Sequence, residues 1–227
     1  MYPLTFEHPI RTMLQLGVIA AIHGDLNGFL RAIRLFAREQ VSHILCAGDI
    51  VDRGSAADRI VTLLQMLPAT CIRGNHEYTM LRSLPRWRAS ARAEQLARVG
   101  RIITDDTLAF IERLPATAQL SIAGVRVLLA HGTPWSDVAD VFPDSQQSRF
   151  TRLREQYGST SDVIVLGHTH RPMHVRCGGL HILNPGSVYG VTGRDSQSCG
   201  ILTLPECRFR VFDLVSGAVQ AVPIIER

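Results

Sequence analysis

Three short apolar runs in the first third of the chain each end in a polar loop and lead into a helical stripe. That repeat constrains the fold more than any other feature. Leu14 to Ile22 is continuously apolar and runs into His23-Gly24-Asp25, after which Leu26, Phe29, Leu30, Ile33 and Phe36 recur at helical spacing up to Glu39. Ile44 to Ala47 ends in Gly48-Asp49, ahead of a stripe at Ile60, Leu63, Leu64 and Leu67 that stops at Pro68. Thr70 to Arg73 ends in Gly74-Asn75-His76, followed by an arginine-rich helical stretch to about Gly100 and a helix from about Asp105 to Leu114. Strands joined by helices lie parallel with right-handed crossovers, so these units predict a parallel sheet.

The second half reads differently. Leu120 to Ile122 and Val125 to Ala130 flank Gly124 as a hairpin, and Val163 to Leu166 is another short strand. Met173 to Cys177, His181 to Leu183, Gly200 to Leu204, Phe209 to Leu214 and Val219 to Ile224 follow, separated by turn residues. The expected fold is α/β, a two-sheet β-sandwich flanked by helices. The second half should supply the second sheet. A length of 227 residues suits a single domain spanning 1–227, and no linker or low-complexity tract divides it.

Composition excludes several classes. No apolar run approaches the roughly 20 residues of a membrane span, and no export signal is legible at the N-terminus, so a cytoplasmic location is expected. Five widely spaced cysteines without a C-x-x-C pair argue against a disulfide framework or a thiolate zinc site. The formal charge is +4, but all 24 basic residues are arginine, a bias that weakens charge as a guide to function.

Chemistry concentrates where strands end. Ligands of open α/β sheets bind beyond the carboxyl ends of the strands, and there the sequence places His23, Asp49, Asn75-His76, His131 and His168-x-His170. One histidine in such a place is ordinary. Five converging segments of ligand-type residues point to a metal site.

These blocks stand as Ala21-Ile22-His23, Gly48-Asp49, Gly74-Asn75-His76-Glu77, His131-Gly132 and Gly167-His168-Thr169-His170, with Asn184-Pro185-Gly186-Ser187-Val188 beyond. In order and spacing they resemble the calcineurin-like metallophosphoesterases, over about Ile19 to Tyr189. The resemblance implies a phosphoester hydrolase with two divalent metal ions, Mn²⁺ first, with Fe or Zn²⁺ as alternatives, and a metal-bridging hydroxide as nucleophile. It implies Asp49 as the bridging ligand, His23 and His170 completing one site, and Asn75, His131 and His168 the other.

Gly48-Asp49-Ile50-Val51-Asp52-Arg53-Gly54 and Arg73-Gly74-Asn75-His76-Glu77 resemble the phosphoprotein phosphatase branch. That likeness implies His76, paired with Asp52, near the leaving-group oxygen, and Arg53 and Arg73 on the substrate phosphate. The bland alternative for both arginines is a structural salt bridge. Arg171 is read equally as a substrate contact or a surface charge.

The first block departs from the family. Ala21 stands where a metal-binding Asp is expected, which leaves His23, His170 and the shared Asp49. Lower activity follows. A deliberate replacement is the preferred explanation because every other catalytic position is present; a native pseudoenzyme that binds metal or phosphate is the alternative. Asp25 is read as a helix N-cap rather than a substitute ligand.

The expected substrate is a phosphorylated small molecule, a nucleotide or a phosphoprotein, with dinucleoside polyphosphate hydrolysis as a variant. Arg82, Arg86, Arg88, Arg92, Arg98 and Arg101 around Trp87 could hold a nucleic acid, but a solvated helix face is the preferred reading. Nothing in the sequence indicates the oligomeric state.

Overall fold

The computed structural model describes residues 13–191, 193 and 195–227. The segment read for an export signal lies outside them. The elements run β1 (Leu14–Ile19), α1 (Leu26–Arg38), β2 (His43–Cys46), α2 (Ala57–Met66), β3 (Ala69–Cys71), α3 (Asn75–Arg88), α4 (Ala93–Arg98), α5 (Asp105–Arg113), β4 (Thr117–Ile122) and β5 (Val125–Ala130). They continue with α6 (Gln147–Tyr157), β6 (Val163–Val165), β7 (Pro172–Cys177), β8 (Leu180–Pro185), β9 (Ser198–Leu204), β10 (Arg208–Asp213), β11 (Val219–Gln220) and β12 (Ile224–Glu226). Among the described residues, no helix is long and apolar enough to cross a membrane.

Among the described residues two six-stranded sheets face each other, ordered β11-β10-β9-β1-β2-β3 and β12-β7-β8-β6-β5-β4. Side chains alternate across a strand, so β1 sends Leu16 and Val18 inward between the sheets and Ile19 outward to the helices. The inner core joins Leu16, Val18, Leu45 and Leu202 of the first sheet to Val127, Leu129, Val163 and Leu183 of the second. Outside the first sheet lie α1, α2, α3 and α5, through Phe29, Ile60, Met80 and Ile111. Outside the second lies α6, through Phe150 and Leu153. The result is four layers, each burying one face of its neighbour.

Local chemistry sets the helix positions. Asp25 caps α1, its Oδ1 accepting the Gly28 N–H at 2.9 Å, as read from sequence. Gly17 lets α1 lie close on β1: a Cβ there would sit 2.6 Å from the Phe36 ring.

Two expectations are corrected and one element is added. The strands β1, β2 and β3 pair in parallel as predicted, but β9, β10 and β11 extend that same sheet antiparallel instead of joining the second. Hydrophobic pattern identifies a strand but not its sheet. The segment Val219 to Ile224, expected as one strand, is two: β11 pairs with β10 in the first sheet and β12 with β7 in the second. Pro223 lies between them and has no N–H for a ladder, and the chain changes sheet there. Helix α6 was not anticipated, because only Phe150 and Leu153 among its residues are buried.

Candidate metal centre

Strands β1, β2 and β3 end side by side in one sheet, β5 and β6 do so in the other, and their loops meet at one edge of the sandwich. The backbone there is unusual. Ala21, His23, Asp49, Asp52, Arg53, His168 and His170 all have left-handed φ, between 48° and 68°, and they are seven of the eleven described non-glycine residues with positive φ. Each such residue costs about 1–2 kcal/mol, so the cluster persists only because the surroundings hold it.

Glu77 supplies much of that hold. Fully buried, it accepts the N–H groups of Asp49 (2.9 Å), Ile50 (2.7 Å), Val51 (3.0 Å) and Gly74 (2.7 Å), pinning the loop after β2 to the start of α3. Burial and the charge of Asp49 push its carboxyl upward while the amides of Val51 and Gly74 pull it back down. The loop after β1 is tied in turn to this one, Ile22 and His23 donating to the Asp49 carbonyl at 2.8 and 2.9 Å. Asn184 anchors the loop after β6, its Nδ2 donating to the Gly167 carbonyl at 2.6 Å, and Ser187 Oγ donates to the Ala21 carbonyl at 3.1 Å. These contacts give the Asn184-to-Val188 motif a physical role.

Within this frame Asp49 is central. Its Oδ2 lies 3.2 Å from His131 Nε2 and 3.7 Å from His23 Nε2, and its Oδ1 accepts the His76 N–H at 3.0 Å. Two groups share it. His23, Asp49 and His170 form one, Asp49, His131 and His168 the other, with the ligand-type atoms of each group all within 4.8 Å of one another. Asn75 Oδ1 joins the second, 3.0 Å from His131 Nε2 and 3.1 Å from His168 Nδ1. Imidazole nitrogens, a carboxylate and an amide oxygen at this spacing fit divalent transition ions.

Electrostatics agree with a site for cations. Asp49 is buried, which opposes its charge, but His131, His23 and His76 hold the carboxyl well below the usual range. Burial drives His23 down to about 3, leaving a neutral imidazole suited to ligation. Burial also opposes the charge on His131, yet Asp49 raises that group to about 9. Its Nδ1 donates to the Ala47 carbonyl at 2.6 Å, which leaves Nε2, facing Asp49, as the nitrogen that could ligate a metal. His168 is lowered by burial and then by His131.

A second cluster borders the first. His76 Nδ1 lies 2.8 Å from Asp52 Oδ2, and its ring packs edge-on against His23 with centroids 4.5 Å apart. Burial lowers His76, but the hydrogen bond to Asp52 and the charge of Asp49 outweigh it and the group is raised. The Arg53 guanidinium lies 3.4 Å from His76 Nε2. Arg73 packs 4.8 Å from the Tyr78 ring centroid, its Nε buried without a hydrogen-bond partner. Among the described residues, neither arginine pairs with a carboxylate, unlike the salt-bridge alternative.

Residues 14–206 match the calcineurin-like phosphoesterase superfamily domain. The chain belongs to that family. An uncharacterized protein of Methanocaldococcus jannaschii is 28% identical over 181 residues, 77% of this chain and 70% of that one. A metallophosphoesterase from Sphaerobacter thermophilus superposes with a TM-score of 0.64 at 21% identity, covering 87% of this chain and 86% of its own. The phosphoesterase Yfce from E. coli gives 0.56 at 22% identity, covering 92% and 97%. Vps29 from Entamoeba histolytica, solved with Zn²⁺, gives 0.54 at 19% identity, covering 91% and 96%. These structures share the fold.

His23, Asp49, Asn75, His76, His131, His168 and His170 come together at this edge, while Arg171 instead packs 5.6 Å from the Phe142 ring centroid. Two contacts at the centre are not legible in the sequence. Asp195 Oδ1 lies 2.5 Å from His170 Nδ1, and Arg101 Nε lies 3.6 Å from Asp52 Oδ1. The sequence pattern groups Arg101 with a solvated helix face. Gly100, at φ 74°, packs so closely on Gly54 that a Cβ would lie 2.0 Å from the Gly54 carbonyl oxygen, and this approach brings Arg101 to Asp52.

Proposed function

We propose that this calcineurin-like chain is a single-domain, dinuclear-metal-dependent phosphoester hydrolase, held to low activity by Ala21. The observation that carries the reading is the sharing of Asp49 by two groups of ligand-type side chains. His23, Asp49 and His170 would hold one ion, and Asp49, Asn75, His131 and His168 the other. Mn²⁺ is proposed, with Fe or Zn²⁺ as alternatives that the same donors accept. When bound, such a pair activates water at neutral pH and clamps phosphate oxygens for in-line displacement.

The chain's own groups divide the remaining work. Arg53 and Arg73, free of carboxylate partners among the described residues, offer planar donor forks to the phosphate. Asp52 orients and charges His76, which delivers a proton to the departing oxygen. A cavity of about 540 Å³ opens from Asn75 and His131 between α3 and residues 133–138. Asn75, Tyr78, Thr79 and Arg82 line it from one face of α3, and Trp135 lines it from the segment 133–138. Its size suits the organic part of a phosphorylated small molecule or nucleotide, which we favour over a phosphoprotein. Nucleic acid is not favoured: Arg88 is bound to Asp105 and the Ile103 carbonyl, and Arg101 is turned to Asp52.

His76→Ala in the Ala21→Asp background tests the proton-donor role. Hydrolysis of alkyl esters should fall by about 10²–10⁴-fold, and that of p-nitrophenyl esters by much less, since a good leaving group departs without a proton. Equal losses on both substrates would remove the acid role from His76.

A further inference from the structure

The first metal group has three protein ligands and, with Ala21 in the first block, only the shared carboxylate of Asp49. Another carboxylate lies directly behind it. Asp195 Oδ1 is 2.5 Å from His170 Nδ1, and the Asp195 side chain is 10% exposed. His170 Nε2 points the other way, 3.3 Å from His23 Nε2. Resting on the dinuclear reading above, we propose that Asp195 is a positioning residue for this first site: it fixes His170 with Nε2 toward the ion and supplies anionic charge that Asp49 alone does not.

The chemistry follows from what each atom can do. An ionised carboxylate only accepts, so the proton between the two groups sits on Nδ1 of His170 and the lone pair stays on Nε2. A carboxylate behind a ligating imidazole sets its tautomer, restrains its ring and makes the ligand nitrogen a stronger donor. His170 needs that restraint, because its own backbone is left-handed at φ 57° in a loop.

The backbone carrying Asp195 is itself anchored. Ser196 Oγ accepts the Ser187 N–H at 2.8 Å and lies 2.8 Å from Ser198 Oγ, and the Gln197 carbonyl accepts the Leu214 N–H at 2.7 Å. The other ligand of the same block makes a useful contrast. His168 Nε2 lies 3.4 Å from Asp140 Oδ1, too long for a strong hydrogen bond, and the Asp140 side chain is 56% exposed. Water screens that pair, and Asn75 gives the second site a fourth ligand instead. The two sites thus gain support differently: one from an extra ligand, the other from a largely covered carboxylate behind a ligand.

The experiment compares the whole Ala21 chain with its D195N and D140N variants. In the metal-free proteins, long-range ¹H–¹⁵N spectra of the imidazoles should show His170 in the Nδ1–H form in the parent and D140N chains, and a tautomer mixture in D195N. Equilibrium dialysis with Mn²⁺ should find two ions on the parent chain and, in D195N, one site weakened by about 10–100-fold with the other unchanged. D140N should bind as the parent does. A purely structural role for Asp195 would lower thermal stability without moving the tautomer or singling out one site. Parent-like Mn²⁺ binding by D195N, or an unchanged His170 tautomer, overturns the inference. A parent chain that takes up no Mn²⁺ overturns the dinuclear reading itself, and the two failures are told apart by which protein fails to bind.

Discussion

Ala21→Asp should raise turnover by about two to three orders of magnitude in the presence of Mn²⁺, the effect typical of restoring one preorganised charge at a reacting centre. Ala21 is fully buried where β1 gives way to its loop. Its N–H donates to the Gly48 carbonyl at 3.0 Å, and its own carbonyl accepts from Tyr189 N–H at 3.0 Å. Its φ of 50° is left-handed, a conformation in which Asp is several-fold enriched over other non-glycine residues. The backbone is therefore already shaped for the substitution. His23 lies two residues on, and a carboxylate at position 21 would give the first site a fourth ligand and a hard anionic oxygen, matching the count at the second.

The gain should appear in kcat more than in KM. Arg53, Arg73 and the second ion bind the ground-state phosphate with or without that carboxylate, whereas holding the first ion matters most in the transition state. Without metal the same substitution adds another buried carboxylate near Asp49 and Glu77, and the variant should lose stability that Mn²⁺ then restores. The check is steady-state kinetics on p-nitrophenyl phosphate and its diester. Inactivity of the variant with Mn²⁺, Mg²⁺, Fe²⁺, Co²⁺ and Zn²⁺ on both ester classes would replace the enzyme by a metal- or phosphate-binding module.

Glu77→Ala should be the most destabilising single change at the centre, without removing any ligand. It strips the acceptor from four buried amides, those of Asp49, Ile50, Val51 and Gly74. An unsatisfied buried group costs about 1–3 kcal/mol, so the loss begins near 4 kcal/mol even at the low end. Domains have only about 5–15 kcal/mol in total. The midpoint of thermal unfolding should drop by about 8 °C or more. Glu77→Gln keeps one acceptor oxygen and should lose less. A drop under about 1 kcal/mol for the alanine variant in denaturant titration would mean the loops hold themselves, against the role assigned to Glu77.

How much of this was legible depended on distance along the chain. A strand followed by a ligand-type residue is a local pattern, so His23, Asp49, Asn75, His131, His168 and His170 could be read directly from the ends of apolar runs. Glu77 was visible as part of a block, but its role was not, because its partners Asp49, Ile50 and Val51 lie 26 to 28 residues away. Asp195 was invisible. It stands 25 residues after His170 in a turn-rich segment without periodicity, and only the path from β8 to β9 brings it back. Arg101 was misread for a related reason: it follows α4 in an arginine-rich stretch, and the close glycine contact that turns it inward leaves no signature in hydrophobic pattern. Sheet membership of β9 to β12 was hidden likewise, since pairing partners are chosen by the whole fold.

Crystals of the Ala21 chain grown with Mn²⁺ and measured near the manganese absorption edge test the shared-carboxylate centre most directly. The predicted map has two anomalous peaks flanking Asp49, about 3.5–4 Å apart. The peak among Asn75, His131 and His168 should be the fuller, because four protein ligands hold it against three for the other. A single ion that does not touch Asp49, or no ion at all at saturating Mn²⁺, would contradict it.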